Sequence, residues 1–428
     1  MQVVTNPAKE NWEALLKRPI FETEFLRSTV SNILDRVKSS GDKALFEFTE
    51  KFDGAQISQL KTSQEEIERA ITQVDDQLKE AIQAAAANIK AFHQAQKREV
   101  IKVETMPGVS CWRQSVPIEK VGIYIPGGTA PLFSTVLMLA IPANLAGSKE
   151  IVLCTPPDQD GSINPVILYT AELVGVTGIY KIGGAQAIAA MAYGTESIPK
   201  TYKIFGPGNQ YVTEAKQQVA LEGTAIDMPA GPSEVAIIAD DTSDASFIAA
   251  DLLSQAEHGV DSQVILFCTS DEKVMEVNKE VKRQVLQLPR REMAQQSLRS
   301  SKAFIVPDIN TAIEMSNAYA PEHLIICTED SQHVANQITN AGSVFIGELT
   351  PESAGDYASG TNHTLPTNGA ARSYSGVSLD SFMKQITYQS LTEDGLRGLG
   401  PIVETMAEAE RLVAHKNAVS IRLDKVGR

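Results

Sequence analysis

The sequence predicts an α/β protein built on two parallel sheets, with short helical segments at its two ends. Three observations carry that expectation. Between residues 118 and 226 a short apolar, β-leaning run stops at a glycine or proline turn and is followed by a helix-like stretch, in VGIYIPGG, EIVLCTPP, GIYKIGG and TYKIFGPGN. The same texture resumes near Asp227, with EVAIIAD, QVILFCT, SKAFIVP, HLIICTE and SVFIG separated by helical stretches. The apolar runs are continuous rather than alternating, as they are in parallel strands covered by helices on both faces.

The elements follow in order. Residues 1–20 form an N-terminal segment. Phe21–Phe48 carries apolar residues at helical spacing, with a turn at Gly41-Asp42. Ser63 to Arg98 has no glycine or proline, and Ser63 with Glu66 has the spacing of a capping box, so one or two long helices are expected. Ser134 to Leu145, a stretch ending at Val174, AQAIAAMAYG and QYVTEAKQQVA are the helices of the first βα region. In the second, Ala245 to Glu257, Asp271 to Arg299 and Ile309–Ala318 play that part. Thr350 to Tyr374 is rich in Gly, Ser, Thr and Asn and reads as a long loop, too long for a mere connector. From Leu391 to Arg428 the chain is helical again.

Composition excludes several classes. The chain has 428 residues, enough to bury a core without disulfide or metal staples. Its 38 basic and 53 acidic residues give a net charge of −15, which argues against nucleic acid and against a polybasic membrane anchor. The longest apolar run, Val136 to Ala143, is too short to span a bilayer and contains Pro142. The N-terminus lacks the pattern of a signal peptide. Four cysteines with no C-x-x-C pair fit a reduced, cytoplasmic compartment.

Four constellations have the residue types for chemistry. In SQAEHG, Gln255 and His258 are three apart and share a helix face, with Gly259 as the helix stop. In PEHL, Glu322 and His323 sit where a strand begins, and histidine is the residue best placed to move protons near neutral pH. The loop string GDYASGTNHTLPT holds Asp356 and His363. The last helical segment holds Glu410 and His415. Each has an ordinary structural reading: a cap histidine, a chance pair at a strand entry, a solvated helix face. His93 and His333 read as surface residues. Gly206-Pro207-Gly208-Asn209 resembles a phosphate turn, but Tyr211 stands where the dinucleotide fingerprint needs glycine. Cys154, Cys268 and Cys327 lie inside apolar strands, where a thiolate is disfavoured.

Taken together these strings resemble one family. IDMPAGPSEVAIIADDTSDASFIAADLLSQAEHG is similar to the signature of the histidinol dehydrogenases, and GGAQAIAAMAYGT, KIFGPGNQYVTEAK, YAPEHL and TPESAGDYASGTNHTLPT agree with it, from about Phe21 to Leu423. The resemblance implies two incomplete Rossmann-like domains in an intertwined homodimer. Residues 21–117 with 227–377 would form the α/β domain bearing metal and catalytic residues, 118–226 an NAD-binding domain, and 378–428 a dimerisation segment. It implies oxidation of L-histidinol through the aldehyde to L-histidine, with two NAD+ reduced and one zinc ion per subunit. Carried over by position, the zinc ligands would be Gln255, His258, Asp356 and His415. His323 would be the general base and Glu322 the activator of water. Ser233, His363 and Glu410, with the zinc ligands and His323, would contact substrate, and Tyr124, Gln186 and Asn209 would contact NAD+. Glu410 and His415 would serve the neighbouring subunit's site. The residues alone leave three rivals: a zinc hydrolase using Glu322 to activate water, a metal-dependent binding protein without turnover, and a related dehydrogenase acting on another amino alcohol.

Overall fold

The computed structural model describes residues 1–18, 24–127, 130–229 and 231–427. The expected junction between residues 20 and 21, the glycine at 128 that ends the first turn, and the alanine at 230 lie outside the described residues.

Two parallel sheets form the frame. The first has five strands in the spatial order Gly178–Lys181, Glu150–Thr155, Lys120–Tyr124, Lys203–Phe205, Ala225–Ile226. The second has six, in the order Gln2–Thr5, Lys302–Ile305, Gln263–Cys268, Glu234–Ala239, His323–Cys327, Ser343–Ile346. Apart from the Gln2–Thr5 edge, each sheet has the chain order 3-2-1-4-5, a doubly wound sheet that stops short of its sixth strand. The central strands 234–239, 263–268 and 323–327 are buried along their whole length, which explains their unbroken apolar runs.

The N-terminal helices pack differently from expectation. Glu24–Phe48 is kinked at Gly41 (φ 52°), as the Gly-Asp turn predicts. It sets Val30, Leu34, Val37 and Leu45 in one apolar cluster with Ile188 and Val212 of the five-stranded region. Gln64–Gln73 begins with the full Ser63/Glu66 capping box. Its Ile67 and Ala70 cover the opposite face of the same sheet, with Val121 and Ile123. Asp76–Gln94 continues that layer through Ile82 and Ile89 against Leu137 and Met138. The helices of 21–117 therefore lie on the 120–226 sheet and not on the 234–346 sheet. Conversely, residues 1–18 are not a separate segment: Gln2–Thr5 extends the second sheet, and Trp12 and Leu16 enter its core. Helical periodicity shows that one face is buried; it carries no address for the surface that buries it.

A third, antiparallel sheet was not anticipated. Val109–Pro117 pairs with Met383–Leu391 on one side and Lys102–Met106 on the other. Most of it is exposed, so it lacks the apolar runs that flag the other strands. Helices Glu393–Ala409 and Val413–Val426 follow, as the sequence suggests. Among the described residues no helix is long and apolar enough to cross a membrane.

His93 corrects a second expectation. It is fully buried in the helix 76–94, with Nδ1 2.8 Å from the Ile89 carbonyl and Nε2 3.4 Å from the Asn362 amide. The polar residues around it in sequence cover the helix's outer face and say nothing of the inner one.

Candidate active site

One cavity of about 1930 Å³ lies between the two sheets. Ten of the twelve residues singled out above line it: Tyr124, Gln186 and Asn209 from the first half, and Ser233, Gln255, His258, Glu322, His323, Asp356 and His363 from the second. Glu410 and His415 do not. Glu410 ends the helix Glu393–Ala409, His415 lies in Val413–Val426, and both are exposed.

The first half presents the carboxyl ends of its strands. Tyr124 closes the strand Lys120–Tyr124 and accepts a hydrogen bond at its hydroxyl from the Gly184 amide, 3.0 Å. Gln186 lies in the first turn of Gly184–Tyr193 and is buried. Asn209 caps Gln210–Leu221, its Oδ1 accepting from the amides of Tyr211 and Val212 at 3.0 and 3.2 Å. The turn before it is held from beneath. Asp227 Oδ2 accepts from the Gly206 amide at 2.9 Å, and buried Lys216 donates to the Gly206 carbonyl at 2.9 Å while pairing with Asp227 Oδ1 at 2.5 Å. Gly206 has φ +124°, and a Cβ there would stand 2.1 Å from the Tyr124 carbonyl oxygen, so only glycine fits.

The second half presents the amino ends of its strands. Glu322 precedes the strand His323–Cys327, and His323 opens it, opposite Val235. Side chains adjacent in an extended chain point apart, yet here both reach the cavity because Glu322 belongs to the turn after Pro321. Glu322 Oε2 accepts from the Glu234 amide at 2.8 Å and lies 3.7 Å from His323 Nδ1. His323 Nδ1 is also 3.2 Å from the Glu234 carbonyl and 3.3 Å from Gln255 Nε2. Its Nε2 faces Asp356 Oδ1 at 3.4 Å and has no hydrogen-bond partner among the described residues.

Gln255 lies in the last turn of Ala245–Ala256, but that helix ends before His258. The two residues therefore do not share a helix face; a turn, with the His258 amide donating to the Gln255 carbonyl at 3.2 Å, brings both to the cavity. The supposed loop 350–374 opens with a short helix, Glu352–Tyr357. It aligns Asp356 with Glu352, a buried carboxylate that the sequence reading passed over. An i, i+4 acidic pair would have flagged it had the segment been read as helical. His323, Glu352 and Asp356 offer ligand atoms within 4.8 Å of one another. His363 steadies this corner, with Nδ1 2.8 Å from the Asp356 carbonyl and Nε2 3.0 Å from Thr135 Oγ1.

Burial and charge set the protonation pattern. Desolvation pushes Glu322 and Glu352 up to about 8 each. Desolvation also opposes the charged form of His323, but the carboxyls of Glu352, Glu322 and Asp356 outweigh it and hold the imidazole well above its ordinary value. Asp356 is likewise desolvated, and the His323 contact overrides this and keeps it below the ordinary carboxylate value. The His258 ring is open to the cavity, yet protein walls surround that cavity, and the resulting desolvation keeps its pKa below the ordinary imidazole value. The arrangement thus offers a neutral imidazole, a carboxylate, and the Gln255 Oε1, which is buried without a hydrogen-bond partner among the described residues. Those are three donors of the N/O type that a zinc ion accepts.

Comparison with known proteins bears on the whole chain. The histidinol dehydrogenase family model matches residues 16–423. A histidinol dehydrogenase of Bacteroides thetaiotaomicron is 59% identical, with 99% of each chain covered. That of Escherichia coli K12 is 52% identical, over 97% of this chain and 96% of the relative. The crystal structure of histidinol dehydrogenase from Elizabethkingia anophelis superposes with a TM-score of 0.98 at 56% identity, over 100% of this chain and 99% of that one. With the fold, the signature strings and the relatives in agreement along its length, the chain belongs to the histidinol dehydrogenase family.

Proposed function

We propose that this protein oxidises L-histidinol through L-histidinaldehyde to L-histidine, the last steps of histidine biosynthesis, reducing two NAD+. The observation that carries the reading is that one continuous cavity joins a nucleotide-type strand-end crevice at Tyr124, Gln186 and Asn209 to an acid–base cluster at Glu322 and His323. The helix starts at Gly184 and Gln210 suit the NAD+ pyrophosphate.

The donor set fits zinc. Gln255, His258 and Asp356 would hold it, with His415 of the partner subunit as a fourth ligand in a homodimer. When bound, the metal orients the substrate's nitrogen atoms and so fixes the reacting carbon. The remaining work belongs to side chains. With the metal's positive charge beside Asp356, the carboxyls would no longer favour a charged imidazole; His323 would release its proton to solvent and stand in its base form. His323 takes the hydroxyl proton as hydride leaves the carbinol carbon for the nicotinamide. Glu322 takes a proton from water as its oxygen adds to the aldehyde carbon, and the protonated His323 gives its proton to the carbonyl oxygen, which yields the hydrate and restores the imidazole as a base. His323 then takes a hydrate proton as the second hydride leaves for a second NAD+. Ser233, His363 and Glu410 complete the substrate's surroundings, Glu410 from the partner. The four cysteines are free thiols, and we place the enzyme in the cytoplasm.

The test is stoichiometry. Purified protein should yield two NADH per histidinol, and a chelator should abolish turnover until zinc is restored. Binding of histidinol without NADH formation sinks the reading in favour of a binding protein. The shared site has its own test: His415→Ala chains mixed with His323→Ala chains should regain activity after subunit exchange, and no recovery would refute it.

A further inference from the structure

We infer that Arg18, in the N-terminal segment, is a positioning residue that holds Glu322 and His323 in working geometry through Glu234 and the 319–321 turn. The inference rests on the catalytic roles proposed above for that pair.

Arg18 reaches from the segment before residue 19 to the floor of the cavity. Its Nε and Nη2 grip the two oxygens of Glu234, the Nη2 bond measuring 2.7 Å. The same Nη2 donates to the carbonyls of Tyr319 and Ala320 at 2.9 and 3.3 Å, and the guanidinium lies 3.9 Å over the Tyr319 ring. The pair is largely shut from water, with side-chain exposures of 15% and 3%. A forked, buried guanidinium–carboxylate contact fixes orientation as well as charge.

Each partner of Arg18 leads to the acid–base cluster within one step. Glu234 uses its own backbone to set the pair: its amide donates to Glu322 Oε2, and its carbonyl faces His323 Nδ1. Tyr319 and Ala320 are the end of helix Ile309–Tyr319, immediately before Pro321-Glu322-His323. Ala320 has φ +54°, a left-handed conformation that a residue with a side chain seldom adopts. Such outliers persist where surroundings over-determine them. Arg18 supplies part of that determination, as a cation on the last carbonyls of a helix. The segment that carries it is fixed at both scales: Gln2–Thr5 is paired in the sheet, and the Trp12 indole donates to the Pro7 carbonyl at 3.0 Å. The loop beyond Asp356 joins the same anchor, the Asn368 amide donating to Glu234 Oε1 at 2.9 Å.

The test compares Arg18→Met, Arg18→Lys and the double variant Arg18→Met/Glu234→Gln in the zinc-loaded full-length enzyme. Tm, zinc content, and kcat and KM are read separately for histidinol, for histidinaldehyde and for NAD+. Arg18→Met should lower kcat for both oxidations about 100-fold, the scale of an ångström-level displacement of reacting groups. KM for NAD+ should move less than about twofold, because the nucleotide crevice is built on the other sheet. The double variant removes the unpaired buried charge, so it should recover Tm but not kcat. Arg18→Lys keeps the charge without the fork and should fall between. A double variant that recovers both Tm and kcat, or an Arg18→Met enzyme of full kcat, overturns the inference. If Arg18→Met does not fold, the double variant and Arg18→Lys decide it in the same way. Absence of NADH with the unaltered enzyme would instead condemn the proposed function.

Discussion

The two sheets have the same strand order and offer the cavity opposite ends. The five-stranded sheet presents carboxyl ends of strands and amino ends of helices, at Tyr124, Gly184 and Asn209. The six-stranded sheet presents amino ends of strands, at Glu234, Gln263 and His323, and carboxyl ends of helices, at Gln255 and Tyr319. Helix amino ends favour anions and carboxyl ends favour cations. One wall therefore suits a pyrophosphate and the other a metal ion, an ammonium group or a guanidinium. The cavity lies beyond the strand carboxyl ends on the first wall and beyond the strand amino ends on the second, so the usual rule for ligand crevices describes only the first. At the carboxyl end of the second sheet the turns bind one another instead, as where the Glu329 amide donates to Asp240 Oδ2 at 2.9 Å. A topology alone does not say which end will be used.

The division of labour can be attacked from either side. The largest effect is expected on the catalytic wall. His323→Ala should lower kcat by about 10²–10⁴-fold, the usual worth of a positioned base, while the dissociation constant for NAD+ measured by calorimetry stays within about threefold. Glu322→Gln should stall the reaction between its two halves, with about one NADH per histidinol in a single-turnover burst. A parallel loss of NAD+ binding in either variant would mean that the walls are not separable.

On the nucleotide wall, Gly206→Ala forces a Cβ against the Tyr124 carbonyl and a positive φ on alanine. It should cost about 1–3 kcal/mol of stability and raise KM for NAD+ about tenfold, with KM for histidinol unchanged. Denaturant unfolding checks the first statement and steady-state kinetics the second. Equal increases in both KM values would contradict the separation.

The smallest effect concerns a link between the walls. His93 lies in a helix covering the nucleotide sheet, and Asn362, beside it, belongs to the 361–367 stretch of the other half. Burial lowers the His93 pKa below its value of 6.5 in an unfolded chain. The unfolded state thus takes up the proton first as pH falls. The contribution of neutral His93 is complete above about pH 6.5 and is lost on acidification toward its lower folded value. The free energy of unfolding should therefore fall more steeply below pH 6.5 in the parent than in His93→Gln, by about 1 kcal/mol or less near pH 5.5, read by denaturant unfolding. Identical slopes would remove His93 from the account.

The sequence speaks most clearly where burial on two sides forces continuous apolar runs, and both sheets were legible for that reason. It speaks less clearly where a pattern is shared. The 24–94 helices have the right spacing but no indication of which sheet they cover. Strand Met383–Leu391 is largely exposed and carries no buried-strand signature. In the site, Gln255, His258, Glu322 and His323 stood out by residue type and spacing, and Tyr124, Gln186 and Asn209 by resemblance. Glu352 did not, because Gly355 and the residues after it make the segment look like loop although Glu352–Tyr357 is helical. Arg18 did not either: a single arginine near a chain end is commonplace, and its meaning comes from a partner 216 residues away.

The Gly206 turn has a consequence for how the protein breathes. Its N–H and its carbonyl both end on a buried ion pair, so local fluctuation of the loop must break the Lys216–Asp227 contact as well as two hydrogen bonds. Loops that line open cavities usually exchange their amide hydrogens with deuterated water quickly. The Gly206 amide should instead exchange on the slow timescale of the core strands beside it, a point of rigidity at the edge of a large cavity.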